Sequence, residues 1–224
     1  MTPTLDRPEV RAVLDRLHAA SKAQRLLLHP FIWKTFLEMA GGKPGSVEAR
    51  SRSAKDLLLP ISAEQGRFVY LVARSLQARR VVEFGTSFGV SALYLASAVR
   101  DNGGGVVIGS EIEPSKAATA RHNLGEAGLA DLFELREGDA SQTLRDPGGP
   151  IDLLLLDGWK ELYLPILEML APRLRPGGVV IGDNIYTFKS ALAPFCAWVR
   201  DPAHGFSSVT LPLGDGTEYA VKLG

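Results

Sequence analysis

Hydrophobic and polar positions follow two different patterns, and the pattern changes near Arg80. Before that point apolar residues recur at helical spacing, which predicts a helix from Arg7 to Leu28 and another over residues 30–39. Glycine and proline predict a loop at Gly41–Ser46. The following stretch, Val47–Leu59, is first charged and then apolar, and we interpret it as a mobile or docking segment.

A second set of signals marks a helix just before the change of pattern. Ser62 is followed three residues later by Gln65, which predicts a capping box at a helix start. One face of that helix is predicted to carry four apolar side chains, Phe68, Leu71, Val72 and Leu76.

The basic residues upstream of this helix are interpreted as a solvated face, or alternatively as part of a lid over a substrate. They are Arg50, Arg52 and Lys55.

From Arg80 onward, short apolar runs bounded by turn residues alternate with helical stretches, which is typical of parallel strands buried on both faces. Five such strands are predicted, at Val81–Gly85, Val106–Glu111, Leu132–Arg136, Ile151–Leu156 and Gly178–Gly182. A helix from Glu161 to Arg175, ended by Pro176–Gly178, links the last two strands.

Two further strands are predicted near the C-terminus, at Ser208–Leu211 and Glu218–Lys222, on either side of a hairpin-like turn at Gly214–Gly216. The whole pattern predicts a doubly wound, Rossmann-like α/β fold. Its seven-stranded sheet is mostly parallel and ends in an antiparallel hairpin. Residues 1–60 are predicted to form an N-terminal helical cap or lid, and residues 61–224 the main domain.

Composition narrows the classes of partner. The 224 residues contain 25 Lys and Arg and 25 Asp and Glu, so the net charge of zero gives no electrostatic case for nucleic acid or an anionic membrane. Cys196 is the only cysteine, which excludes an intrachain disulfide. The first residues carry no apolar signal segment, and no apolar run approaches the roughly 20 residues that span a bilayer. We therefore expect a cytoplasmic protein.

Polar residues follow the fourth and fifth predicted strands at the point where each ends. Asp157 follows one strand, and Asp183 and Asn184 follow the other. The carboxyl ends of parallel strands meet at one edge of the sheet, where open α/β sheets bind ligands. Three hard oxygen donors suit a magnesium-like ion. Lys160, three residues past Asp157, is placed to act on whatever that ion holds.

The first three strands end on residues that suit a nucleoside cofactor. Glu83 precedes Gly85 and Gly89, whose spacing differs from the dinucleotide fingerprint. Glu111 ends the second strand, where doubly wound folds place a ribose-binding acid. Gly138–Ala140 follows the third strand, where an adenine amino group would be held. Together these residues fit S-adenosylmethionine better than a nicotinamide cofactor.

These motifs resemble the class I S-adenosylmethionine-dependent methyltransferases, and within them the cation-dependent O-methyltransferases of the catechol and caffeoyl-coenzyme A types. Leu156–Lys160, followed by Tyr163–Pro165, matches the animal catechol enzyme's Leu-Asp-His-Trp-Lys and Tyr-Leu-Pro, except that Gly158 replaces the histidine. The Asp183-Asn184 pair also matches. Leu211–Gly216 is similar to the closing hairpin of the caffeoyl-coenzyme A branch.

The resemblance, which covers the chain from about Ile61 onward, implies a role for each residue. Asp157, Asp183 and Asn184 would bind a divalent metal, usually magnesium, and Lys160 would be the general base. S-adenosylmethionine would be the methyl donor. The positions that would contact this cofactor are Ile61, Glu83, Gly85, Ser91, Glu111, Asp139, Ala140 and Asp157. Trp159 would wall the substrate or cofactor.

The acceptor is less well defined. The animal catechol enzyme has a late glutamate that orients the second hydroxyl, and by spacing this position falls near Val209, which cannot do so. Neither Asp215 nor Glu218 is an obvious substitute. A small aromatic diol is the expected acceptor class, and phenylpropanoids, flavonoids and an antibiotic precursor with vicinal hydroxyls stay open as alternatives to a simple catechol. The alternatives are a non-catalytic S-adenosylmethionine-binding protein and, disfavoured by the glycine spacing, a nicotinamide-dependent oxidoreductase. The N-terminal helices either close over the site or form a homodimer interface.

Overall fold

The computed structural model describes residues 2–24 and 45–224, so the end of the predicted helix at Arg7–Leu28, the predicted helix at 30–39 and most of the loop at 41–46 lie outside the described residues. The helices in the described part are α1 (Pro8–Ala23), α2 (Val47–Ser53), α3 (Ala63–Ser75), α4 (Val90–Asp101), α5 (Pro114–Glu126), α6 (Ala140–Thr143), α7 (Tyr163–Leu170) and α8 (Lys189–Arg200). The strands are β1 (Arg80–Phe84), β2 (Val106–Glu111), β3 (Phe133–Glu137), β4 (Ile151–Leu156), β5 (Leu174–Gly182), β6 (Phe206–Leu211) and β7 (Thr217–Lys222).

The strands form one seven-stranded sheet in the order β3-β2-β1-β4-β5-β7-β6. The first five pair in parallel, whereas β7 runs antiparallel to both β5 and β6. This confirms the predicted fold class. In the register of the central strands, Phe84 lies opposite Leu156 and Leu156 opposite Gly182. The carboxyl ends of β1, β4 and β5 therefore finish at the same level of the sheet.

Helices cover both faces of the sheet, so nearly all residues of β1 and β4 are buried whichever side they face. One buried cluster joins residues of α1, α3, α4 and α5 to the sheet, and the other joins residues of α7 and α8 to its opposite face. The apolar side of α1 is buried, as its spacing predicts, and belongs to the first cluster. The division of the chain at residue 60 stays a prediction. None of the described helices is long and apolar enough to cross a bilayer.

The predicted apolar face of α3 is wrong at Leu71, which is 57% exposed. The capping box at Ser62 and Gln65 is confirmed. At Gly66, however, α3 lies so close to α4 that a Cβ atom would be 2.2 Å from the ring of Tyr94. This close approach directs the face that contains Gly66 toward the core and leaves Leu71 on the solvent side.

The segment between β4 and β5 also differs from its prediction. The α-helix spans only Tyr163–Leu170, with 3-10 turns at Lys160–Leu162 and Ala171–Arg173. Because β5 already begins at Leu174, the Pro176–Gly178 sequence lies inside the strand and does not end the helix. The pairing of β5 with β4 shifts register there, between Ile151 and Leu153. Helices α6 and α8 were not predicted.

Candidate active site

The three predicted metal-binding residues lie together at the carboxyl ends of β4 and β5. The Asp157 amide donates to the Phe84 carbonyl at 2.9 Å, and the Asp183 amide donates to the Leu156 carbonyl at 3.1 Å. These bonds extend the sheet by one residue on each strand and fix where both side chains start. Asn184 has a φ of +67°, a left-handed conformation that asparagine tolerates well. All three residues line one cavity of about 610 Å³.

Two carboxylates, Asp157 and Asp183, lie near a single ammonium, that of Lys160, so the charges at this site do not cancel. The ammonium of Lys160 lies 3.4 Å from Asp157 Oδ1. Burial raises the pKa of Asp157 to about 7; Lys160 opposes this rise and the Asp183 charge adds to it. Burial likewise raises the pKa of Asp183, again opposed by Lys160. Two buried carboxylates that share one ammonium form a setting in which a divalent cation would be held by charge as well as by oxygen donors.

Gln65 is a part of this site that sequence reasoning missed. Its Nε2 donates to Asp183 Oδ1 at 2.6 Å, while its Oε1 accepts from the Ser62 amide at 3.0 Å. One amide therefore completes the capping box of α3 and also fixes a predicted metal ligand. The sequence signal at Gln65 was interpreted only as a helix cap.

Tyr163 positions the predicted general base. Lys160 Nζ donates to Tyr163 Oη at 2.8 Å, and that hydroxyl donates to the Asp183 carbonyl at 3.2 Å. The tyrosine is fully buried, and its ring packs edge-on against Phe84 and Phe195. Burial raises its pKa well above the ordinary value, with the charges of both aspartates adding to the rise. Tyr163 therefore stays a neutral hydroxyl that links Lys160 to the backbone after β5.

Glu83 is placed behind the cofactor half of the site rather than in the wall of the large cavity. It is fully buried, and its Oε2 accepts from the Thr86 hydroxyl at 2.8 Å. Its Oε1 has no hydrogen-bond partner among the described residues. Burial raises the pKa of Glu83, and the hydroxyls of Ser91 and Thr86 oppose that rise. A buried acid with an unpaired oxygen is a feature that a bound ligand with a donor group would complete.

Glu111 and the predicted adenine contacts line the large cavity. The Glu111 carboxylate accepts from the Ser87 amide at 2.8 Å and the Glu113 amide at 2.9 Å, which fixes it at the cavity wall. Asp139 caps α6 by accepting from the Ser141 amide at 2.8 Å, and Ala140 follows it. The structure thus brings these predicted residues to the same cavity as the predicted metal-binding group.

Gly85 is required where the first turn passes the end of β4. Its φ is +97°, and a Cβ atom there would be 2.6 Å from Gly158 Cα. Ile61 and Ser91 do not line the large cavity. They line a small pocket of about 10 Å³ that shares Gly85 and Asp157 with it, and their contacts to a cofactor stay predictions.

Gly158 itself has a packing reason for differing from the animal enzyme's histidine. A Cβ atom at this position would be 2.5 Å from the ring of Phe84. The ring fills the space in which a side chain at position 158 would begin. The position next to Asp157 is therefore bare backbone in this chain.

Lys116 was also missed. It is 8% exposed, lines the large cavity, and its ammonium lies 5.4 Å from the centre of the Phe88 ring. Burial lowers the pKa of Lys116, while the charges of Glu111 and Glu113 oppose that change. A single lysine at the start of an exposed-looking helix carried no sequence signal for such a position.

The three residues near the C-terminus that were considered as acceptor contacts lie in different surroundings. Val209 is 52% exposed on β6. Glu218 is fully buried and accepts from Arg200, Ser208 and Thr210, so it is a structural acid. Asp215 lines the large cavity, and its Oδ2 accepts from the Thr187 amide at 3.2 Å. Among the described residues, no three His, Cys, Asp or Glu side chains lie together as a possible metal site, and the predicted set instead combines two carboxylates with an amide.

The comparisons with known proteins agree on one family, the methyltransferases. Residues 82–185 match a family described as a methyltransferase domain. The chain is 38% identical over 146 residues to catechol O-methyltransferase of Mycobacterium tuberculosis, an alignment that covers 65% of this chain and 66% of the relative. The chain thus spans slightly less than two thirds of that relative's length. A protein of Mycobacteroides abscessus, provisionally named an O-methyltransferase, is 31% identical over 192 residues. The alignment covers 78% of this chain and 86% of that protein.

The fold also matches solved structures. The O-methyltransferase TomG from Streptomyces achromogenes, which is involved in tomaymycin synthesis, was solved in complex with S-adenosylmethionine. It superposes with a TM-score of 0.68 and 29% identity, over 79% of this chain and 88% of its own.

Proposed function

Because the chain belongs to the class I S-adenosylmethionine-dependent O-methyltransferase family, we propose that it methylates a hydroxyl of a vicinal diol, with small catechol-like aromatics as the first candidates. The observation that carries this proposal is the position of Lys160. Its Nζ lies between Asp157 and Tyr163 on the wall of the cavity that Glu111 and Asp139 also line. A proton acceptor and the predicted nucleoside contacts thus face the same space.

The described residues fit S-adenosylmethionine. Glu83 carries an unpaired buried oxygen, Gly85 leaves room at the turn, and Glu111 is fixed by two backbone amides at the cavity wall. A cavity of about 610 Å³ is within the range of cofactor and small-molecule sites. When bound, S-adenosylmethionine supplies an electrophilic methyl group on a sulfonium, which leaves as the neutral thioether.

The donor set also fits a divalent cation. Asp157, Asp183 and Asn184 would hold it, with Asp183 already oriented by Gln65. Carboxylate and amide oxygens are ligands that magnesium prefers. Such an ion would supply positive charge that stabilises an acceptor oxygen as it loses its proton.

The protein's own contribution to the chemical step is made at Lys160. As a neutral amine, its Nζ would take the hydroxyl proton of the acceptor while that oxygen attacks the methyl carbon, and Lys160 would end the step as an ammonium. Tyr163 holds Nζ at 2.8 Å, and its own bond to the Asp183 carbonyl fixes the hydroxyl in turn. Holding the proton acceptor and both reactants in fixed positions accounts for much of the rate that such an enzyme needs.

A direct test uses S-adenosylmethionine, magnesium chloride and a panel of catechols, with S-adenosylhomocysteine measured by mass spectrometry. We expect Lys160→Met to lower kcat by about 10²- to 10⁴-fold, because the proton acceptor is lost, without weakening S-adenosylhomocysteine binding in calorimetry. The matched control is Lys189→Met, an exposed lysine at the start of α8, which should behave like wild type.

Chelation tests the metal independently. Turnover should fall to background in EDTA and return with added magnesium. Normal turnover in EDTA, or in Lys160→Met, would overturn the proposed mechanism. Cofactor binding with no transfer to any acceptor would instead favour a non-catalytic S-adenosylmethionine-binding protein.

A further inference from the structure

Helix α2 forms part of the wall of the large cavity. Residues on one side of the helix, Val47, Glu48, Ser51 and Ala54, line the cavity together with Trp159 and Lys160. The stretch Val47–Leu59, interpreted from the sequence as a mobile or docking segment, therefore begins at the wall of this cavity. The helix faces the loop that carries the proposed proton acceptor.

Polar contacts, rather than apolar burial, hold α2 in place. Within its seven residues only Arg50 and Ser51 are buried. Of the two interpretations of this basic group, a solvated face or part of a lid, the first is wrong for Arg50: its side chain is 7% exposed, whereas Arg52 and Lys55 are exposed. A helix with little apolar contact depends on such individual polar interactions for its position.

Both buried residues contact the loop after β4. The Arg50 guanidinium pairs with the Glu161 carboxylate and lies 4.3 Å from the centre of the Trp159 ring. Its Nε also donates to the Gly45 carbonyl at 3.0 Å. The Trp159 Nε1 donates to the Ser51 hydroxyl at 2.8 Å. Arg50 thus combines a charge pair with stacking on an aromatic face, as guanidinium groups commonly do.

We propose that Arg50 is a positioning residue for the acceptor: through Glu161 and Trp159 it latches α2 onto the loop that carries Lys160 and closes that side of the cavity. Its partners Trp159 and Glu161 are the immediate neighbours of Lys160 in the chain. Release of the latch moves α2 away from the cavity and loosens the acceptor wall. Among the described residues, the side-chain hydrogen bonds of Arg50 go to Gly45 and Glu161 and not to the strands, so the predicted cofactor residues on those strands should be unaffected.

This proposal deepens the proposed function, because it assigns the acceptor side of that same site. Its first test does not require turnover. Hydrogen exchange, followed by mass spectrometry, is measured on peptides that cover residues 47–58 in wild type and in Glu161→Gln. The substitution removes the charge that pairs with Arg50 and leaves the sequence of α2 intact. We expect exchange in this segment to accelerate by about tenfold or more, with no change in β4 and β5.

The matched control is Glu134→Gln, which removes an ion pair with Arg136 on the surface of β3. Its exchange in residues 47–58 should equal that of wild type. If Glu161→Gln and Glu134→Gln give the same exchange there, the latch does not exist. Arg50→Lys keeps the charge but loses the planar fork, and we expect its exchange to lie between those of wild type and Arg50→Met.

Kinetics with 3,4-dihydroxybenzoate as a probe acceptor supply the second test. In Glu161→Gln, the acceptor KM should rise by about tenfold, while kcat and the S-adenosylhomocysteine Kd stay within about twofold of wild type. An equal fall in kcat and kcat/KM would overturn the positioning role. If wild type methylates no catechol, the proposed function fails, but the exchange experiment still decides whether the latch exists.

Discussion

The two ends of strand β4 carry aspartates in opposite circumstances. Asp152, near the amino end, accepts hydrogen bonds at 2.8, 2.8 and 2.6 Å from three donors: the amides of Arg79 and Arg80 and the guanidinium of Arg175. Asp157, just past the carboxyl end, has one side-chain donor among the described residues, the ammonium of Lys160 at 3.4 Å. The same strand therefore ends in one fully paired acid and one poorly paired acid.

The pKa values follow this difference. Burial raises the pKa of both acids, but at Asp152 the hydrogen bonds from Arg175 and the two amides outweigh it, so that pKa lies below the ordinary value. At Asp157 burial dominates, and the pKa is about 7. The two side chains are about equally exposed, 16% at Asp152 and 15% at Asp157, so the number of paired donors separates the acid that stabilises the fold from the one available to a ligand. This difference agrees with the rule that open α/β sheets bind ligands at the carboxyl ends of their strands.

Neutralising each acid in turn tests this difference with the largest expected effects. We expect Asp157→Asn to lower methyl transfer by at least about 10²-fold, because a proposed metal ligand is lost. Its free energy of unfolding without metal should rise by about 0.5–2 kcal/mol, since a poorly paired charge is removed. Turnover assays and urea denaturation in EDTA measure the two effects.

Asp152→Asn should lower stability and leave activity unchanged, the opposite of Asp157→Asn. It leaves three donors without their charged acceptor, so the free energy of unfolding should fall by about 1–3 kcal/mol while methyl transfer per folded molecule stays unchanged. If both variants shift stability in the same direction, pairing does not distinguish the two ends of β4.

A narrower change tests the partner strand. Gln65→Glu keeps a capping-box residue at the start of α3 but places a second carboxylate against Asp183. We expect magnesium affinity, measured by calorimetry, to fall by about 10- to 100-fold with little loss of helix stability. Gln65→Ala removes both functions and should also lower the melting temperature. Equal magnesium affinity in wild type and Gln65→Glu would show that the hydrogen bond from Gln65 to Asp183 does not affect metal binding.

The sequence supported prediction of the strand ends but not of their partners. The bounds of β2 and β4 were predicted correctly because short apolar runs and turn residues are local signals. The contacts of Gln65 with Asp183 and of Arg50 with Glu161 join residues 118 and 111 positions apart, and no local pattern encodes such pairs. The helix before β5 was predicted too long because Pro176–Gly178 signals a break but does not show that the chain is already extended.

A smaller effect is expected from the packing beneath Asp157. Gly158→Ala places a Cβ atom 2.5 Å from the Phe84 ring, so the free energy of unfolding should fall by about 1–3 kcal/mol as the ring is displaced. Gly125→Ala in α5 is the control, because its Cβ would meet nothing within 4 Å. That variant should be neutral or more stable by up to about 1 kcal/mol. Thermal denaturation of both variants checks the difference, and equal melting temperatures would contradict it.

The smallest expected effect is the pH dependence of the paired acid. The pKa of Asp152 is lower in the folded protein than its ordinary value of 3.8, so its stabilising contribution is present above pH 3.8 and is lost as pH falls through the folded pKa. The difference in unfolding free energy between wild type and Asp152→Asn should therefore be constant from pH 5 to 7 and shrink by on the order of 1 kcal/mol in more acidic solution. Urea denaturation of both proteins at matched ionic strength measures this difference. A difference that instead grows as pH falls below 3.8 would mean that Asp152 is not held as a charged acceptor, and the contrast between the two ends of β4 would lose its physical basis.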